Sequence, residues 1–194
     1  MNPLNTVKGA ITTGVILSII LFVGLDPNQF MHYSLGRWLH ILAGVMWIGL
    51  LYYFNVVQIP GLAAAGADKG GPGGAGISKY IAPRALLWFR WAAVATWITG
   101  AWILGPNLVG AFTFQTGLVT IGIGAWLGTL MLINVWLVIW PAQQKALGLV
   151  PASDDERNRA RRRAFLVSRL NTALSMPMLF FMASGWSHRA LLGV

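Results

Sequence analysis

Apolar positions along this chain fall in five long blocks, 9–25, 35–59, 85–107, 115–140 and 164–186, separated by short polar or glycine-rich stretches. A helix of about 20 residues rising ~1.5 Å per residue crosses a bilayer. The blocks therefore predict an all-α integral membrane protein, a five-transmembrane-helix bundle built as one membrane domain over 1–194. Breakers mark the expected ends: Asp26, Pro27 and Asn28 after the first block, Pro60 after the second, Pro106 and Asn107 after the third, and Pro141 after the fourth. The first block is short enough to pass for a signal peptide. No A-x-A-like site follows it, so a retained span is expected.

The second block, LGRWLHILAGVMWIGLLYYFNVVQI, carries most of the chemistry. His40 lies about a turn and a half inside it, and Gly44, Trp47 and Leu51 follow on the same face. Asn55 and Gln58 lie near its end. An imidazole inside a span is a functional candidate. A histidine above a missing side chain suits a flat macrocycle close to the backbone, and it equally suits tight helix–helix packing. In the fourth block Gly124 and Gly128 form a small-xxx-small pair, expected at a packing face.

Two connectors stand out. Residues 60–84, with GADKGGPGGAG at their centre, read as a Gly/Ala-rich flexible loop. They are not a phosphate cradle, because no strand precedes them and no G-K-[ST] closes them. Residues 141–163, which contain DDERNRARRR, read as a basic loop. The chain is 56% hydrophobic and 10% charged over 194 residues, so the net charge of +9 does not indicate nucleic acid. Its basic residues lie between apolar blocks, where they set topology. Lys8 and the two connectors hold ten lysines and arginines, whereas the opposite side holds Arg37 and Arg189. That imbalance predicts a cytoplasmic N-terminus, cytoplasmic 60–84 and 141–163 loops and a periplasmic C-terminus in a bacterial inner membrane. Cysteine is absent, which excludes disulfides, thiolate metal sites, iron–sulfur clusters and covalently attached haem.

Orientation converts position into depth. His32, His40 and His188 fall at or near the outer surface; Asn55, Arg90, Asn134, Arg169 and Asn171 fall in the inner third. Neutral imidazole binds haem iron or another metal. His40 is the expected metal ligand, with Arg37 one turn above it placed to pair a haem propionate. Met182, His188 or water would take the second axial position. The ordinary alternative makes His32 and His188 loop residues and His40 a satisfied packing residue. Copper or zinc bound by all three histidines is the weaker option, given their wide spacing. The inner arginines require acceptors, which the asparagine carbonyls can supply. That group reads either as interhelical hydrogen bonding with snorkelled arginines, or as a pocket for an anionic, hydrogen-bonding ligand.

Four segments, HILAGVMWIGLLYYFNVVQIP, PRALLWFRWAAVATWITG, GIGAWLGTLMLINVWLVIWP and SRLNTALSMPMLFFMAS, together resemble the membrane domain of the bacterial cytochrome-linked urate hydroxylase (urate oxidase) family. The resemblance covers about residues 36–188. It implies a membrane domain that delivers electrons to a c-type cytochrome. It carries His40, Trp47, Asn55, Arg90, Asn134, Arg169 and Asn171 over as motif positions. The chain ends at Val194 without cysteine, so a short form without the cytochrome c domain is expected.

The expected function is a haem-b-binding redox subunit passing electrons toward a periplasmic c-type cytochrome. Two rivals are a non-catalytic accessory subunit of a larger membrane complex or homo-oligomer, and a urate-type oxidase using a separate cytochrome. Hydrolysis is disfavoured, because Asp68, Asp154, Asp155 and Glu156 all lie in the expected loops.

Overall fold

The structure, a computed structural model, describes residues 2–25 and 33–183. His32, His188, Asp26 and Arg189 lie outside the described residues, as does the end of the fifth expected span. The described elements are helical: α1 (Val7–Leu25), α2 (Tyr33–Tyr52), α3 (Ile59–Ala67), α4 (Ala82–Leu104), α5 (Leu108–Phe112), α6 (Val119–Ile133), α7 (Trp140–Ala146) and α8 (Asp154–Ala183). Five helical stretches, Val7–Gly24, Ser34–Ala67, Ile77–Phe112, Val119–Ala146 and Asp154–Ala183, are long and apolar enough to cross a membrane. All five expected blocks therefore correspond to helices.

The ends of the blocks differ from expectation. Three π-helical segments, Tyr53–Gln58, Ile77–Ile81 and Asn134–Ile139, each stop two residues before a proline. Those prolines, Pro60, Pro83 and Pro141, sit in the first turn of α3, α4 and α7. Proline lacks an N–H and its ring crowds the carbonyl four residues back. A wider π turn takes up that misfit, and the N–H groups of Ile59, Ala82 and Trp140 each bond the carbonyl five residues back. The helices thus run through the prolines instead of ending at them. Residues 60–84 and 141–163, expected as loops, are largely helical.

The start of α8 has its own cause. The backbone N–H of Ser153 donates to Glu156 Oε2 at 2.9 Å, and the N–H of Glu156 donates to Ser153 Oγ at 3.3 Å. This reciprocal capping box starts the helix about ten residues before the apolar block. Asp154, Asp155 and Glu156 in the first turn complement the helix dipole. At the other expected break the sequence reading holds. Gly105 adopts φ +48°, a left-handed conformation that ends α4, and a 3-10 turn through Pro106 and Asn107 leads into α5.

Helix α2 packs along α4, and α6 along α8, with α7 also against α8. Their shared core holds Trp47, Leu51, Phe54, Phe89, Met131 and Met178 among others, with the rings of Phe54 and Phe89 edge to face at 5.5 Å. Gly124 of α6 meets Met182 of α8, where an added Cβ would lie 3.4 Å from Met182 Cε. Gly128 is buried, but no neighbouring atom lies within 4 Å of the Cβ it lacks. None of the described residues of α1 is buried.

Candidate functional site

Helices α2 and α4 build the surroundings of His40. Its Nδ1 lies 2.8 Å from the carbonyl oxygen of Thr96 and 3.3 Å from Thr99 Oγ1. A carbonyl oxygen only accepts, so Nδ1 carries the proton and Nε2 keeps its lone pair in the neutral ring. The Thr99 hydroxyl donates to the Ala95 carbonyl at 2.7 Å, and the Thr96 hydroxyl to Ala92 at 2.7 Å, so both threonines are tied to their own helix. Gly100 makes room for the ring: an added Cβ would stand 3.0 Å from His40 Cε1 and 3.3 Å from Nδ1. Sequence reasoning missed Thr96, Thr99 and Gly100. The helical spacing of T-x-x-T-G was the available signal, but only the α2–α4 register shows which face it meets.

The other residues expected around His40 divide. Gly44 faces α4, where the nearest atom to an added Cβ is the Thr96 methyl at 3.9 Å, the spacing of ordinary helix packing. Trp47 is 2% exposed in the core, with its Nε1 unpartnered among the described residues. Arg37 is exposed. Met182 packs on Gly124 of α6. Among the described residues no group of three His, Asp or Glu side chains is placed to hold a metal ion. Of the residues expected around a haem, His40 is the one that presents a ligating nitrogen among the described residues. Its Nδ1 is hydrogen-bonded and its Nε2 has no partner among the described residues, the arrangement usual for a ligating histidine.

The inner polar residues form two pairs instead of one pocket. Asn55 Nδ2 donates to the Leu51 carbonyl at 2.9 Å and to Ser168 Oγ at 2.8 Å, while its Oδ1 is buried without a partner. Asn134 Nδ2 donates to Asn171 Oδ1 at 2.8 Å, and Asn171 Nδ2 donates to the Met131 carbonyl at 3.0 Å. Neither arginine takes an asparagine acceptor. The Arg90 guanidinium lies over the Trp140 ring, 3.6 Å from its centroid, with Nε and Nη1 buried and unpartnered among the described residues. Arg169 is exposed and lies beside the Phe165 ring at 5.2 Å. The expectation that asparagine carbonyls satisfy these guanidinium groups is therefore corrected. The indole face supplies the partner for Arg90.

A cavity of about 650 Å³ opens at the basic end of the bundle. Its walls come partly from the expected spans and partly from the segments beyond their expected ends. Lys79, Arg157 and Arg161 bring positive charge to its lining, and Gln58, Gln143 and Ser168 bring neutral polar groups. Among the described residues, no Asp or Glu lines it.

Residues 108–191 match the family model described as urate oxidase N-terminal. The resemblance read from the sequence is borne out over that stretch, which includes Asn134, Arg169 and Asn171 but not His40. No curated protein and no solved structure matches the chain.

Proposed function

We propose that this chain is a five-span inner-membrane subunit of the urate oxidase N-terminal kind, and that it binds haem b through His40 as an electron-transfer subunit. The carrying observation is the hydrogen bond from His40 Nδ1 to the Thr96 carbonyl, which fixes the tautomer and leaves Nε2 free to ligate. Haem b, when bound, supplies a one-electron couple. The chain supplies the rest. Thr96 orients the ring, Gly100 gives it space beside α4, and the packed core around Trp47 excludes water from that face. With ten basic residues in the N-terminal stretch and the two connectors, that end faces the cytoplasm, and His40 lies toward the periplasmic side. Electrons would leave on that side to a c-type cytochrome.

A reduced-minus-oxidised absorption spectrum of the purified protein tests this reading. A b-type signal that His40→Ala abolishes, with folded protein retained, supports it; a normal haem spectrum in His40→Ala ends the ligand assignment. Protease access from the periplasm to 147–153 in intact cells would overturn the orientation.

A second reading, oxidation of urate with a separate cytochrome, is favoured by the family match over 108–191. Urate-dependent reduction of an added c-type cytochrome by purified protein tests it.

A further inference from the structure

We infer that the cavity at the basic end is a binding site for an anionic phospholipid whose headgroup carries a hydroxyl as well as the phosphate. This inference rests on the membrane placement proposed above, but not on haem.

The cavity has two chemically distinct parts. One part of the lining is apolar, with the buried Phe54 and Phe89 of the core and the half-buried Leu62 and Phe165. The other part is cationic. Arg157, Arg161, Phe165 and Ser168 lie on one face of α8 at helical spacing, and Lys79 faces the cavity from the π segment before α4. Such a division suits an amphiphile: methylenes against the aromatic and aliphatic wall, an anion against the guanidinium groups.

Unpartnered atoms narrow the headgroup. Arg157 Nε is buried without an acceptor, although its Nη1 lies 3.8 Å from the exposed Asp154 carboxylate. Among the described residues, Arg161 Nη1 has Asn158 Oδ1, at 3.3 Å, as its one acceptor. An ion pair so exposed holds Arg157 weakly, so an incoming phosphate can compete for it. Gln58 Oε1 is buried without a donor. A phosphate offers only acceptors at neutral pH, so it satisfies the arginines and leaves Gln58 unmet. A headgroup hydroxyl supplies that missing donor, as a glycerol headgroup does. Among the described residues, no carboxylate lines the cavity to repel the anion.

Depth agrees with the chemistry. The cavity straddles the ends of the apolar blocks: Leu62, Lys79, Gln143, Arg157 and Arg161 lie beyond them, and Phe54, Phe89 and Phe165 lie within them, so a headgroup and its first methylenes both find their level. Basic pockets between spans on the cytoplasmic side are a recognised setting for anionic lipid headgroups.

The test uses the full chain, purified and delipidated in detergent, with thermal unfolding followed as lipid is added. Phosphatidylglycerol should stabilise it at concentrations where phosphatidylcholine, inorganic phosphate and urate do not. In the pair Arg157→Gln with Arg161→Gln, the concentration required should rise about 30-fold, taking roughly one tenfold step per 1.4 kcal/mol and about 1 kcal/mol per basic residue. The control pair Arg159→Gln with Arg163→Gln removes the same charge from exposed positions outside the cavity and should leave the response intact. Gln58→Leu removes the acceptor without touching charge, and should weaken the response even where the arginine pair folds poorly. Equal loss in the two arginine pairs would mean diffuse attraction and overturn the inference. Equal protection by inorganic phosphate or by urate would also overturn it, by making the site one for a small soluble anion. Failure of the haem spectrum leaves all of these outcomes readable.

Discussion

His40 and Gly100 meet across the α2–α4 boundary, and the ring occupies the space a side chain on Gly100 would take. A Cβ there would be 3.0 Å from Cε1, closer than side-chain carbons normally approach. The same contact places Nδ1 at 2.8 Å from the Thr96 carbonyl, so the missing side chain on α4 sets the direction of the imidazole on α2.

Gly100→Ala and Gly100→Leu should therefore behave differently. Alanine recovers about 1 kcal/mol of helix propensity, against overpacking that costs about 1–3 kcal/mol, so the alanine variant should be near balance or modestly destabilised. Leucine adds three further carbons with no space for them and should lower stability clearly. Thermal unfolding in detergent checks the order. If haem is bound, its spectrum should shift in Gly100→Ala and vanish in Gly100→Leu.

Asn171 is fully buried and joins α8 to α6 through the Met131 carbonyl and to the π-helical segment after α6 through Asn134. Asn171→Leu should destabilise by about 0.6–3 kcal/mol, the span from an average membrane-bundle hydrogen bond to a stranded buried donor. Asn134→Leu should cost less, because Asn171 keeps its bond to Met131. Equal losses in the two variants would show that the Met131 bond contributes nothing.

Arg90 stacks on Trp140 at 3.6 Å yet leaves Nε and Nη1 without acceptors among the described residues. A cation–π contact contributes about 0.5–2 kcal/mol, whereas an arginine at the centre of a span costs at least about 2.5 kcal/mol on insertion scales. The second effect wins if Arg90 is embedded. Arg90→Met should then be neutral or stabilising, and Trp140→Leu destabilising. A large loss in Arg90→Met, measured by unfolding, would reveal an anionic partner for the guanidinium.

Glu156 at the start of α8 titrates below the ordinary carboxylate range. The backbone N–H of Ser153 is the largest cause, the Ser153 hydroxyl the next and the Lys145 ammonium the third. A depressed folded-state pKa means that its contribution is present above the unfolded value and is lost as pH falls through the depressed one. Fraying of the first turn of α8 should therefore appear on acidification, read by amide exchange at 154–157. Glu156→Gln should remove that pH dependence, and Ser153→Ala should move the titration of Glu156 upward.

Apolar block length alone determined that five segments become helices, because a run of about 20 apolar residues has no other way to satisfy its backbone in hydrocarbon. Pro106 and Asn107 likewise marked a real break, and the structure adds the left-handed Gly105 before them, which ends the helix through local geometry. The helix start at Ser153–Glu156 was missed, because the charge of the following run was read as a loop, and the capping box that makes it appears in the structure. Only the tertiary structure decided how the helices continue past Pro60, Pro83 and Pro141. A π turn is stabilised by packing against neighbours, and a proline reads alike whether it ends a helix or follows a widened turn. The partners of the polar residues were decided there as well. The expected topology put Asn55, Arg90, Asn134, Arg169 and Asn171 in one layer, but helix rotation sends Asn134 to Asn171, Asn55 to Ser168, Arg90 to Trp140 and Arg169 to an exposed face. Rotation depends on which small residues let two helices approach, as Gly100 does beneath His40, and that is a property of pairs of helices that neither helix carries in its own sequence.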